Sequence, residues 1–99
     1  MTARLLLAAL LIVVAIARAN AAAQTPPPGA SSCSGCHAMK KSVDTPVPRL
    51  VGRNPADIEA AMVAFRAGQR PSSVMGRIAK GFTDDEVRAI AAWYGAQKD

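Results

Sequence analysis

Apolar residues follow two different patterns along the 99-residue chain. From Leu5 to Ala17 they run almost unbroken, as Leu, Ala, Ile and Val. Beyond Gln24 they recur at helical spacing, between stretches rich in proline, glycine and charge. Ile58, Ala61, Met62 and Phe65 fall at i, i+3, i+4 and i+7, one face of a helix. Asn54-Pro55-Ala56-Asp57 leads into them with a cap residue, a proline suited to the first helical position and an acid in the first turn. Gly68 marks the stop. A second stripe comprises Val87, Ile90, Ala91 and Tyr94, flanked by Trp93. It follows Thr83-Asp84-Asp85-Glu86, a capping box that predicts a helix from about Asp84 to Ala96. Ala30 to His37 has room for about two further turns, with Ser31 or Ser32 as the cap. Pro46 and Pro48 keep residues 38–52 out of regular helix. Residues 69–81, with Pro71, Met75 and Gly76, form a second loop with space for a helical turn. No strand alternation and no internal repeat is visible. The pattern predicts a small all-α domain with three helices and two loops.

The first apolar run reads as a leader. Met1-Thr2-Ala3-Arg4 is a positive start, and Ala21-Ala22-Ala23 offers a small-residue cleavage site. The alternative is a retained membrane anchor, which needs about 20 apolar residues; Arg18 and Asn20 close the run early. The expectation is a cleaved signal peptide over 1–23, export to the periplasm, and one domain over 24–99 with no membrane span.

Losing the leader changes the composition. Removing 23 of the 99 residues leaves 76, and the 51% hydrophobic content then overstates the core. Phe65, Phe82, Trp93 and Tyr94 all remain. A chain this short usually needs a staple. Arg4 and Arg18 leave as well, so the net charge falls from +5 to +3. That supports a mildly basic docking face and gives no case for nucleic acid.

The chemistry is concentrated in Cys33-Ser34-Gly35-Cys36-His37. This is C-x-x-C-H, the attachment pattern for a c-type haem. Two thiols at this spacing can both form thioethers at one edge of a porphyrin, and the next residue is then placed as an axial iron ligand. A disulfide between Cys33 and Cys36 would close a tiny loop and leave His37 unexplained. The expected cofactor is one covalently attached haem c, which is also the staple.

His37 is the sole histidine, so a second axial histidine within the chain is excluded. A methionine thioether is the next candidate. Met1 leaves with the leader, Met39 is too close to His37 to cross the haem plane, and Met62 lies in an apolar stripe where methionine usually packs. Met75 remains, in a loop with enough chain to reach the far face. A vacant site or ligation by Lys80 is the alternative. The second nitrogen of His37 needs an orienting acceptor. The carbonyl near Pro48 can supply it, or Pro46 and Pro48 can be simple loop stiffeners; the two readings stand level.

These residues resemble the class I monohaem cytochromes c. The likeness rests on Cys33-x-x-Cys36-His37, on Pro48-Arg49-Leu50-Val51-Gly52, on a methionine in a late loop, and on a closing helix with an Ala-aromatic cluster. Ala64-Phe65-Arg66-Ala67-Gly68, the run from Ser73 to Phe82, and Thr83-Asp84-Asp85-Glu86 are similar to the cytochrome subunit of sulfide dehydrogenase, the flavocytochrome c type. The resemblance implies haem on Cys33 and Cys36, iron between His37 and Met75, and a Pro48 carbonyl holding His37. The segment before Cys33 is shorter and richer in proline than the usual first helix, and only one haem can be carried.

The function expected is electron transfer without catalysis, since a His/Met haem has no open position for substrate. The donor implied is a redox protein, either a flavoprotein that holds this chain as its haem subunit or a series of partners that it visits as a free shuttle. Lys40, Lys41, Arg49, Arg53, Arg70, Arg77 and Lys80 are candidates for steering an acidic partner, with ordinary solvated surface as the alternative for each. A thiol-redox or zinc site is the rival class. It lacks the βαβ context of the former and the fourth ligand of the latter.

Overall fold

A computed structural model describes residues 2–98, with the side chains of 17–24 outside that set. The expected cleavage site at Ala21-Ala22-Ala23 therefore lies outside the described side chains. The described residues form five helices and no strand: α1 (Thr2–Gln24), α2 (Ala30–Cys33), α3 (Pro55–Arg66), α4 (Met75–Ala79) and α5 (Asp84–Ala96). None of the described helices is long and apolar enough to cross a membrane. The architecture is all-α, as the periodicity indicates.

The two long helices of the domain begin where the capping chemistry places them. The Asn54 side chain accepts from the backbone N–H of Ala56 at 3.0 Å, and Pro55 opens α3. At α5 the capping box is complete. Thr83 Oγ1 accepts from the N–H of Glu86 at 3.2 Å, and the Glu86 carboxylate accepts from the N–H of Thr83 at 2.8 Å. α3 stops at Gly68, whose φ of 71° is the left-handed value that a side chain resists. The N–H of Gln69 then reaches back to the carbonyl of Ala64 at 2.9 Å.

Two expectations need correction. The helix over the cysteines is a single turn, Ala30–Cys33, rather than two. Neither Ser31 nor Ser32 caps it. The preceding residue is Gly29 in left-handed geometry, and the Ser32 hydroxyl donates backwards to the Gly29 carbonyl at 2.6 Å. Three consecutive prolines just upstream leave the chain no room to begin the helix earlier. Downstream, the N–H groups of Cys36 and His37 both turn onto the carbonyl of Cys33, at 3.2 and 2.9 Å. The helix thus gives way to a tight turn. The loop turn around Met75 is a five-residue helix, α4.

α3 packs against both α4 and α5. Ala30, Ile58, Ile90, Ala91 and Tyr94 make the buried cluster, with Cys33, Met39, Leu50, Val51, Phe82 and Trp93 half-buried around it. Tyr94 is the one large side chain that is fully buried among the described residues. Its hydroxyl donates to the Ala30 carbonyl at 2.6 Å, joining α5 to the start of α2. One residue on, Gly95 lets α5 approach the start of α3. A Cβ there would sit 2.7 Å from Pro55 Cγ and 2.8 Å from the Arg53 carbonyl.

Tyr94→Phe removes a buried bond and is expected to cost about 1–2 kcal/mol, measured by denaturant unfolding. Burial raises the Tyr94 phenol above its ordinary 10.0. The folded state resists ionisation there. Stability present below pH 10 should therefore drain away as pH climbs towards the raised value, and the Phe variant should lose that dependence. Gly95→Ala should destabilise by about 1–3 kcal/mol through overpacking against Pro55, although alanine is the better helix former.

Candidate functional site

Cys33, Cys36 and His37 lie within one turn of chain, as the motif requires. Cys33 ends α2 and is half-buried against the core; Cys36 is exposed. No disulfide joins them. Burial raises the Cys33 thiol above its ordinary value, with smaller opposing hydrogen bonds from Ser32, its own backbone and Tyr94. A redox-active C-x-x-C site needs the reverse, a thiol depressed by a helix N-terminus or a nearby cation. Among the described residues, no three His, Cys, Asp or Glu side chains converge as metal ligands.

The proximal histidine is oriented by the loop after it. His37 Nδ1 donates to the Pro48 carbonyl at 2.5 Å, across 11 positions. That bond selects the tautomer with its lone pair on Nε2, which points the free nitrogen away from the loop acceptor. Of the two level readings of Pro48, the acceptor is the one observed. The loop itself is braced by Arg49, whose Nη2 donates to the Met39 carbonyl at 3.0 Å. Arg49 was a candidate for the docking rim; its guanidinium is engaged on the backbone of its own loop.

Met75 belongs to another element. It is the first residue of α4 and half-buried. Met39 packs against the core cluster and Met62 is half-buried in α3. Arg70 and Arg77, with Lys80, line a cavity of about 370 Å³ between the end of α3 and α4, together with Phe65, Ser72 and Gly76. The Arg70 guanidinium is held over the Phe65 ring, 4.9 Å from its centroid. Lys40, Lys41 and Arg53 are exposed on other stretches of chain.

The residues present suit a large apolar cofactor. Among the described residues, the buried core has Tyr94 as its one large, fully buried side chain, and a ring of further apolar residues around it is only half covered. The indole Nε1 of Trp93 is buried with no hydrogen-bond acceptor among the described residues. A buried donor of that kind suits a cofactor that carries its own carboxylates. The thiol pair, the oriented imidazole and the half-covered apolar ring together fit haem. Two features here were invisible to pattern reading. The partner of Trp93 depends on which way its ring turns, and the role of Arg49 depends on the path of the loop.

No family model matches the chain. It is similar to the cytochrome subunit of sulfide dehydrogenase from Chlorobaculum tepidum, 42% identical over 64 residues, which is 65% of this chain and 58% of that protein. It is 31% identical to cytochrome c-554(548) of Halomonas halodenitrificans over 71 residues, 68% of this chain and 86% of the relative. A thiosulfate dehydrogenase electron acceptor from Stutzerimonas stutzeri is 35% identical over 66 residues, 63% of this chain and 31% of that protein. The chain thus spans little more than half of the first relative and about a third of the last. Two of these relatives are named cytochromes and the third an electron acceptor, and cytochrome c-554(548) is matched over 86% of its length. The chain belongs to the cytochrome c family, with an all-α fold.

Proposed function

We propose that the chain is an exported c-type cytochrome with one covalent haem, held by Cys33 and Cys36 and ligated by His37 and Met75. The observation that carries this reading is the bond from His37 Nδ1 to the Pro48 carbonyl at 2.5 Å, directly after the cysteine pair. It leaves Nε2 as the coordinating nitrogen. Haem supplies a one-electron couple when bound. The chain's own residues fix the imidazole tautomer, exclude water with the half-buried apolar ring, and offer a thioether donor from α4. The leader pattern over 1–23 supports a periplasmic location.

The donor proposed is a flavoprotein of the sulfide dehydrogenase type, in keeping with the name of the C. tepidum relative. A free shuttle is the second reading, favoured by the near full-length match to cytochrome c-554(548). Co-purification with a flavoprotein separates the two. In either mode the cavity beside Met75 is the proposed docking face. Arg77 and Lys80 make no ion pair among the described residues, so their charge is available to an acidic partner.

Met75→Ala should abolish the ferric thioether-to-iron charge-transfer band and let the reduced protein bind carbon monoxide rapidly at neutral pH. A band that survives would transfer the role to Met62 or another donor. Replacing Arg77 and Lys80 together by Gln should slow reduction by an acidic redox partner about tenfold at low ionic strength. The difference should vanish in high salt, where the Debye length falls to about 3 Å at 1 M.

A further inference from the structure

Arg66 is the last residue of α3, yet its side chain works on a later part of the chain. Its Nε donates to the Ala79 carbonyl at 3.3 Å, its Nη2 to the Phe82 carbonyl at 2.9 Å, and its Nη1 to Asp84 Oδ1 at 2.5 Å. All three guanidinium nitrogens are used. The most distant of these partners is 18 positions away, and Met75 lies on the chain between.

The other hydrogen bonds of that segment do not cross it. Gln69 and Arg70 donate to Ala64 at the end of α3, and Gly76 donates to the Ser72 hydroxyl. Arg77 and Ile78 donate to Val74, and Gly81 and Phe82 to residues three back. They shape local turns. Arg66 alone among the described side chains ties the exit of α3 to the far end of α4 by hydrogen bonds. Ala79, the residue it grips, is fully buried, so the contact fixes α4 where it meets the body of the domain.

The ion pair is the lesser part of this clamp. The Asp84 side chain is 73% exposed, and an ion pair in that setting contributes little. The two carbonyl bonds differ, because a charged donor meets main-chain acceptors in a planar, forked geometry. A lysine keeps the charge and cannot reproduce the fork. Without the clamp, α4 keeps its packing against α3 but loses the hydrogen bonds that fix its far end.

We propose that Arg66 is a positioning residue for Met75: by gripping the carbonyls of Ala79 and Phe82 it sets where α4 rests and how readily the thioether leaves the iron. This rests on the reading of Met75 as the distal ligand. The residue touches neither iron nor thioether and acts through the backbone of α4.

The test uses the ferric holoprotein and added imidazole, which competes for the distal position. The saturating rate of imidazole binding reports how often Met75 releases. Arg66→Lys should raise that rate about tenfold, the size expected for losing one or two charge-assisted hydrogen bonds. Asp84→Asn should raise it less, because the carbonyl bonds remain, and it keeps the test open if the lysine variant folds poorly. Arg88→Gln, which removes the separate pair with Asp85 on α5, should leave it unchanged. Denaturant unfolding is measured on every variant. An unchanged release rate in Arg66→Lys overturns the proposal, and so does a change that matches the fold-change in global unfolding. If the wild type itself lacks the thioether charge-transfer band, the Met75 reading fails and this one with it. If the band is present and the variants behave as wild type, only the role of Arg66 fails.

Discussion

The hydroxyl of Tyr94 donating to the Ala30 carbonyl joins residues 64 positions apart, and most of the domain hangs on that closure. It sets α5 against the turn that bears Cys33. From the same residue, the Tyr94 carbonyl accepts from the N–H of Gly52 at 3.1 Å, which ties down the far end of the loop that holds His37. Tyr94 therefore fixes both ends of the proximal structure, the cysteine turn by its side chain and the Pro48 loop by its backbone. Gly95 next to it lets α3 come close enough to complete the core. One tyrosine and one glycine near the C-terminal end organise a site whose chemistry lies near the opposite end of the domain.

Elements with local chemical signals were legible in the sequence. The boundaries of α3 and α5 follow from Asn54, Pro55, Gly68 and the Thr83–Glu86 box, because a cap is a contact between residues two or three apart. The C-x-x-C-H motif was legible for the same reason. α2 ends at Cys33, short of His37, because the N–H groups of Cys36 and His37 both turn onto the Cys33 carbonyl, and its start is held by Gly29 in left-handed geometry in place of a serine cap. The two readings of Pro48 could not be separated by pattern, since the bond to His37 depends on the course of an 11-residue excursion. Arg66 was visible only as part of a motif. Its three acceptors lie 13 to 18 positions away and two of them are backbone, so no periodicity reveals them.

The two sides of the proposed iron axis are built by different means. On the His37 side, a loop stiffened by Pro46 and Pro48 presents a carbonyl, and Arg49 braces the loop through the Met39 carbonyl. On the Met75 side, a five-residue helix is anchored at its far end by a side chain from another helix. Proline stiffening acts mainly by narrowing the unfolded alternatives. A guanidinium clamp acts by closing an open segment. Both sides also rely on an arginine donating to main-chain carbonyls, with proline restraint added on the proximal side and helix packing on the distal one.

The acceptor of the His37 proton has an evolutionary consequence. A side-chain acceptor at that place could be lost through a single codon change. The Pro48 carbonyl belongs to the main chain, so every amino acid at position 48 would still carry an oxygen there. What selection can vary is the trajectory of residues 38–52, by insertion, deletion or replacement of the prolines. The orientation of the imidazole therefore depends on the course of the loop between His37 and Gly52 and not on the identity of any one side chain at position 48.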